Sequence, residues 1–575
     1  MTHRCTRVWS LLAAGILLVS LASGCRSGGG TPSERAVTAL PNGSPAAPKQ
    51  PPTPASPVRF EDVAAQAGLN YEWKITAKRP LNILQTIGNG CAFLDFNNDG
   101  NLDILLVGPK LGLFQGDGRG HFVDVTKSMG LGGVSGHFLG CAVGDYDNDG
   151  WDDIYLSGYR EGMLLHNERG RSFRNATPPA MRPQPWGTSC AWADVDGDGR
   201  LDLFVSNYVR FGNEPGMPQL CDSHGVKVSC GPRFYKPLQG VFYHNLGGGS
   251  FAEANPMLNI GSTHGRGLAV AFAPLDASGR PTLAMANDEV PGDLLAPRLK
   301  NGALSYSNIA LASGMAFDRD GNVHGGMGAD WGDYDNDGRL DLFITTYQGE
   351  NKSLFRNEGG GAFNDTSYMT GLAASSQPHV AFGCKWLDVD NDGWLDLIFA
   401  SGHIQDNVSE VDSSTSYRQK TLLFHNNGAS PPMFENIGAS AGPAFERPIV
   451  GRGLATGDYD NDGRVDVLIV DSEGKPLLLH NETANTGHWA GIQLQGTTSN
   501  RDGQGSLLIA TIGGRKYLAH CTTGGSYLSA SDKRVHFGLG KAKKIDSLTI
   551  QWPNGRRQTL KNLPADRYIS IREAT

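Results

Sequence analysis

Asp145-Tyr146-Asp147-Asn148-Asp149-Gly150-Trp151-Asp152-Asp153 sets carboxylates at positions 1, 3, 5 and 9 of a nine-residue stretch, with glycine at position 6. Four such groups repel one another unless a cation sits among them. Oxygen ligands alternating along a loop that turns sharply at a glycine describe a calcium site, here Asp145, Asp147, Asp149 and Asp153. The spacing recurs in Asp194, Asp196, Asp198 and Asp202, and in Asp333, Asp335, Asp337 and Asp341. It recurs again in Asp388, Asp390, Asp392 and Asp396, and in Asp458, Asp460, Asp462 and Asp466. A sixth version, Asp95, Asn97, Asp99 and Asp103, carries an amide at position 3. About six Ca2+ sites are therefore expected. A seventh copy, Pro274 to Thr282, keeps only Asp276 and Gly279 and is expected to hold no metal. A solvated Asp-Gly turn accounts for one such loop but not for the repetition. An EF-hand is excluded, because position 12 is Leu156, Val205 or Ile344 inside an expected strand rather than a glutamate before a helix.

Short strands must position these loops. A small apolar segment precedes each one, as in Gly140-Cys141-Ala142-Val143-Gly144, and a second follows, as in Leu340-Asp341-Leu342-Phe343-Ile344. Then come a Leu-Phe-x-Asn strand (Leu354 to Asn357), a glycine-rich turn and a Phe-x-Asp-Thr strand (Phe363 to Thr366). Four strands repeated roughly every 50 to 80 residues make propeller blades. The last unit ends at Leu477-Leu478-Leu479-His480-Asn481 without its final strand, and the missing phrase stands first, at Phe60-Glu61-Asp62-Val63. That segment is expected to complete the last blade and close the ring, which also protects sheet edges. The fold class read from the sequence is all-β: a seven-bladed β-propeller over residues 58–484, then a small β-domain over 485–575. Cys91, Cys141, Cys190 and Cys384 each stand four residues before a loop, a repeated position that reads as a small buried slot.

The units resemble the FG-GAP/VCBS repeats of integrin-alpha-like propellers, and that resemblance implies that each acidic loop joins the first two strands of a blade and binds calcium. From about residue 485 the phrases change to His488-Trp489, Ser499 to Gly505, Gly524-Gly525-Ser526-Tyr527-Leu528-Ser529, His536 to Gly540 and Trp552-Pro553-Asn554-Gly555. These resemble the ASPIC/UnbV domain, and their residues read as turns and strand ends of a small β-domain. The two in this order are the layout of the cartilage acidic protein-like family, which has bacterial members. The resemblance implies matrix or cell-surface interaction and attaches no reaction.

At the N-terminus, Arg4 and Arg7 precede an apolar run to about Leu21, then Ala22-Ser23-Gly24-Cys25. The run is short for a membrane span and reads as a signal peptide, residues 1–24. Small residues before Cys25 resemble the bacterial lipobox, which implies lipidation of Cys25. Residues 26–57, rich in Gly, Ser, Ala and Pro, read as a disordered tether. The expected location is outside the cytoplasm, on a membrane surface through the N-terminal lipid, at the outer membrane or cell surface; secretion is the alternative. In an exported chain Cys221 and Cys230 are expected to form a disulfide. Formal net charge is -8 and no basic tract is present, so nucleic acid is not an expected partner. No catalytic residue is assigned, since no metalloprotease, nucleophile-elbow or phosphate-loop motif occurs. His137, His224, His264, His324, His379 and His403 lie on inter-blade segments where a ligand face would be. Two functions stand: a calcium-stabilised binding or adhesion module for a protein or polysaccharide ligand, and a polysaccharide lyase or hydrolase on the same scaffold.

Overall fold

The computed structural model describes residues 58–276 and 278–574. The signal segment, Cys25 and the tether lie outside them. The described chain is all-β. Seven successive four-stranded antiparallel sheets carry the acidic-loop units, numbered here as blades 1 to 7 in chain order. The innermost strands are Cys91–Leu94, Phe138–Gly144, Gly187–Ala193, Gly267–Pro274, Ala329–Gly332, Ala381–Leu387 and Gly451–Gly457. Each lies beside the next, and the first lies beside the last, so the sheets form a closed cycle. The seventh sheet is completed by Phe60–Asp62, which pairs antiparallel with Leu477–Asn481, Phe60 opposite Asn481 and Asp62 opposite Leu479.

The residues explain the layering. Inner strands face neighbours on both sides and are buried along their length, so they are rich in small residues, as in Gly451–Gly457, where three glycines and an alanine leave room for the buried Arg452. Outermost strands such as Phe122–Asp124 bury only the aromatic and expose the rest. Between blades the facing sheets interdigitate. Leu105, Val107 and Leu113 of blade 1 pack on Val143, Ile154 and Leu165 of blade 2, and Leu468, Val470 and Leu478 of blade 7 pack on Phe93, Ile104 and Phe114 of blade 1. Cys91, Cys141, Cys190 and Cys384 are buried, and burial pushes the Cys91 thiol up to about 12. Between the second and third strands of blade 3, Leu220–Ser223 and Val226–Ser229 form a hairpin, and a disulfide joins Cys221 to Cys230.

Past the propeller, two sheets enclose a separate core of Ile492, Leu508, Ile550 and Trp552. One holds Val535–Gly540, His488–Gln495 and Tyr568–Arg572; the other holds Arg515–His520, Leu507–Ile512, Lys544–Gln551 and Arg557–Pro564.

The segment from Cys521 to Arg534, between two strands of this domain, does not stay within it. It threads among the inner strands of the propeller. Ser526 exchanges backbone hydrogen bonds with Ala329 of blade 5, and Ala530 does so with Cys91 and Phe93 of blade 1. Cys141 of blade 2 donates to the Leu528 carbonyl, Ser189 of blade 3 accepts from the Leu528 N–H, and Ser526 Oγ donates to the Leu454 carbonyl of blade 7. Tyr527, fully buried, packs edge-on against Phe382 of blade 6 and donates to the Ile87 carbonyl at 2.9 Å. Gly90 is required here, because a Cβ on it would lie 1.8 Å from the Leu528 carbonyl oxygen. The Gly524–Ser529 phrase therefore plugs the centre of the ring, where the sequence suggested only local turns. Tyr527→Phe leaves a buried carbonyl unpaired and is expected to cost about 1 kcal/mol in chemical denaturation; an unchanged midpoint would deny the plug a structural role.

Candidate metal centres

All six acidic loops are built alike. Position 1 folds the loop around itself: in each, one of its carboxylate oxygens accepts from the N–H of position 5 and the other from the N–H of position 6. In blade 2 these are Asp149 N to Asp145 Oδ1 at 3.0 Å and Gly150 N to Asp145 Oδ2 at 2.7 Å. The other five repeat the pair at 2.8–3.1 Å. Position 9 ties the loop to the third strand of its blade, as where Asp153 Oδ1 accepts the Asn167 N–H at 2.7 Å. Position 4 must take a left-handed backbone, and five loops place asparagine there, with φ between 53° and 61°, while blade 3 uses Gly197. The asparagine is not only a turn residue. Its amide donates to the position-6 carbonyl of the next blade: Asn98 to Gly150, Asn148 to Gly199, Asn336 to Gly393, Asn391 to Gly463, and Asn461 across the closure to Gly100. The loops thus form a hydrogen-bonded belt, interrupted only around blade 4, whose loop lacks these residues.

The predicted carboxylates converge. Oxygen atoms of Asp145, Asp147 and Asp153 lie within 4.8 Å of one another. Asp153 and Asp341 are fully buried, and one oxygen of each, Oδ2, has no hydrogen-bond partner. An orphaned buried carboxylate oxygen facing its own kind fits a cation ligand. Burial pushes Asp153 up to about 7, Asp466 to about 8 and Asp341 to about 9, so these groups resist ionising unless a positive charge joins them. In blade 1 the Asn97 amide instead donates to Asp99 at 2.9 Å, easing the crowding.

Sequence reasoning missed one recurrent member. The residue before the third-strand asparagine is His166, His244, His425 or His480 in blades 2, 3, 6 and 7, and each lies within 4.8 Å of two loop carboxylates. His244 Nδ1 is 2.9 Å from Asp202, and His480 Nδ1 is 3.1 Å from Asp466. The signal was present as a repeated register in Leu-Leu-His-Asn. Blade 5 has Arg356 in that place, 2.6 Å from both Asp335 and Asp337, and Arg339 also pairs with Asp337. A guanidinium already answers part of this loop's charge. Arg356→Ala is expected to tighten cation binding at the Asp333 loop by about tenfold or more. Calorimetry checks this; weaker binding would show that Arg356 supports the site.

The C-terminal domain sits on these loops. Arg501 N–H donates to Asn148, His536 Nε2 lies 2.7 Å from Asn391 Oδ1, and Tyr568 donates to Asp458 Oδ2 at 2.7 Å. Trp489 stacks on His536 and covers Gly463, where a Cβ would meet the indole at 1.9 Å. Lys533 reaches between the surfaces and pairs with buried Asp502, at 2.7 Å, and buried Asp152. The inter-blade histidines are not gathered into one site: His403 bonds the Tyr347 hydroxyl, and His264 bonds Asp293.

Residues 95–156, 145–205 and 333–399 match the FG-GAP-like repeat family, and residues 496–575 match the ASPIC and UnbV family. The chain carries FG-GAP-like repeats and an ASPIC/UnbV domain. The repeat matches include five of the six acidic loops, all but the Asp458 loop. The chain is similar to cartilage acidic protein 1 of Xenopus tropicalis, 24% identical over 377 residues, which is 64% of this chain and 52% of that one. The human protein of that name is 24% identical over 376 residues, 64% and 51%. The chain spans about half the length of the curated relatives it matches. Among solved structures, an Agrocybe aegerita lectin described as recognising non-reducing terminal N-acetylglucosamine aligns at TM-score 0.39 and 13% identity, over 68% of this chain and 94% of that one. YCF48 bound to D1 peptide aligns at TM-score 0.40 and 10% identity, over 75% and 99%.

Proposed function

We propose that the protein is a calcium-stabilised binding module that presents a propeller face to a protein or polysaccharide ligand outside the cytoplasm. The belt of six identically built acidic loops, joined blade to blade by asparagines and seated under the ASPIC/UnbV domain, carries this reading. Calcium is the cation that suits it, because the donors that the nine-residue turn itself supplies are oxygens, which match its large and adaptable shell, and the neighbouring histidines are held by the position-9 carboxylates in blades 3 and 7. Asp at positions 1, 3, 5 and 9 holds the ion, with Asn97 replacing one carboxylate in blade 1; the ion supplies charge neutralisation and cross-links the first two strands of a blade. Since the ASPIC/UnbV domain occupies the loop face and the plug fills the centre, the opposite face is the one left for a ligand. The Ala22-Ser23-Gly24-Cys25 phrase supports anchorage through a lipid on Cys25, with residues 26–57 as spacer. The test is a panel of acidic and neutral glycans and matrix proteins, read for both binding and turnover with calcium present. Saturable binding without turnover is the expected result; product formation from any glycan would make the protein a polysaccharide-active enzyme instead.

A further inference from the structure

At the end of the ring away from the ASPIC/UnbV domain lies a cavity of about 180 Å3. Leu268, Met327 and Phe382 form its apolar wall, and all three belong to the cluster that packs around Tyr527, so the plug backs the cavity. Three carboxylates from two neighbouring blades line the rest: Asp288 and Glu289 after the second strand of blade 4, and Glu350 after the second strand of blade 5. Asp288 accepts from the Tyr208 hydroxyl. Glu350 Oε2 accepts the N–H groups of Gly325 at 2.9 Å and Tyr347 at 3.2 Å. A Cβ on Gly325 would lie 3.0 Å from Asp288 Oδ1 and 3.8 Å from Glu350 Oε2, so the two carboxylates approach one point.

Two cations act on these carboxylates from a distance, Arg266 on Asp288 and Lys352 on Glu350, but neither pairs with them. Neither Asp288 nor Glu350 makes an ion pair among the described residues, and Glu289 alone is paired, with the exposed Arg233 at 2.9 Å. The buried cations nearby are turned to carbonyls: Lys352 donates to those of Tyr347, Glu350 and His379, and Arg452 to those of Thr86, Gly402, Gly451 and His403. Arg266 likewise donates to the carbonyls of Glu289 and Tyr235. Glu289 is also a non-glycine residue held at φ 55°, a conformation that persists when the surroundings impose it and that is common beside ligand sites. Burial pushes Asp288 up to about 7 against the opposing hydrogen bond from Tyr208 and the charge of Arg266, with Glu289 and Glu350 adding to the rise; a bound positive group would hold it ionised.

We propose that this cavity binds an organic ammonium or guanidinium group, as carried by a lysine or arginine side chain or by an amino sugar. The carboxylates take the charge, while Tyr208, Tyr347, Leu268 and Met327 in the lining give the aliphatic stem an apolar surface; the Phe382 ring is already covered by the Arg452 guanidinium, 4.0 Å from its centroid. This gives the binding module a ligand chemistry, and rests on that reading only for the identity of its partner.

The probes are Nα-acetyl-lysine amide and glucosamine, with Nα,Nε-diacetyl-lysine amide as the uncharged control. They are titrated into the full protein with calcium present, by calorimetry and by the NMR signal of the Met327 methyl group. The expected result is a dissociation constant of about 1 mM or tighter for a charged probe, a shifted Met327 signal and no response to the control. Asp288→Asn and Glu350→Gln should each weaken binding at least tenfold. The lysine and glucosamine arms tell which source of the group is preferred. Silence of both charged probes at Met327, an equal response to the control, or wild-type affinity in Glu350→Gln would overturn the proposal. So would a Met327 shift produced by calcium beyond saturation of the loops, which would make this a metal site. A glycan or protein ligand that binds while both charged probes stay silent would leave the binding-module reading intact and remove only this site.

Discussion

Chelation of divalent ions should lower the melting temperature steeply, and magnesium should restore little of it. Each loop gathers its carboxylates where their backbone partners already occupy many lone pairs, and Asp153 and Asp341 keep a buried oxygen unanswered. A cation that binds only the folded form stabilises it by RT ln(1 + [L]/Kd), about 2.7 kcal/mol per site at a hundredfold excess over Kd. Six sites acting on one closed ring make this the largest single effect available. Magnesium demands a tighter octahedral shell and is a poor substitute. Without the ion, stability acquires a pH dependence of definite sign. Asp341 is pushed up to about 9 and Asp466 to about 8 by burial, so the folded apo-protein holds more protons than the unfolded chain. Stability is then fully present below the unfolded carboxylate range, near pH 4, and is lost as pH rises towards 8 or 9. Melting in chelator should worsen across pH 5 to 8, and calcium should flatten that slope. A melting point that rises with pH in chelator would reverse the assignment.

Lys533→Met should cost about 3–5 kcal/mol, because it leaves two buried carboxylates facing each other with no cation. Asp152 and Asp502 are 2% and 5% exposed, and Asp502 also accepts the Asp145 N–H at 2.9 Å, so the loss reaches directly into the blade 2 loop. Replacing all three with neutral residues (Lys533→Met with Asp152→Asn and Asp502→Asn) should recover most of the deficit, since the penalty belongs to the unpaired charges rather than to the missing bond. Denaturant unfolding of the single and triple variants measures this. A single variant within about 0.5 kcal/mol of wild type would show that the ASPIC/UnbV domain docks without help from Lys533.

The loops and their ring were legible because every requirement is local. Position 1 needs a carboxylate to accept two N–H groups four and five residues on, position 4 needs a left-handed residue, and position 6 needs glycine, so the pattern survives in six stretches of nine residues. Closure was legible because Phe60–Asp62 repeats a phrase that the last unit lacks. The plug was not. Tyr527 and Leu528 touch Ile87 and Ser189, 440 and 339 residues away in sequence, and nothing in Gly524–Ser529 distinguishes a turn from a segment inserted elsewhere. The cavity at Asp288 and Glu350 was invisible for the same reason, since it needs two blades and the plug together. His166 and its counterparts fall between these cases: their register repeats, but only the folded hairpin reveals that it points at the acidic loop. Arg356 puts a permanent guanidinium where four other blades put an imidazole that the loop carboxylates push towards its charged form.

The most direct test is the calcium stoichiometry of the purified protein, by calorimetry after exhaustive chelation and by metal analysis after re-equilibration. Close to six ions per chain are expected, one for each acidic loop, with the Asp333 loop weakest. Asp149→Ala should remove one ion, and Asp276→Ala should remove none. A stoichiometry near zero, together with a melting temperature indifferent to chelator, would contradict the assignment of these loops as the metal centres that hold the ring.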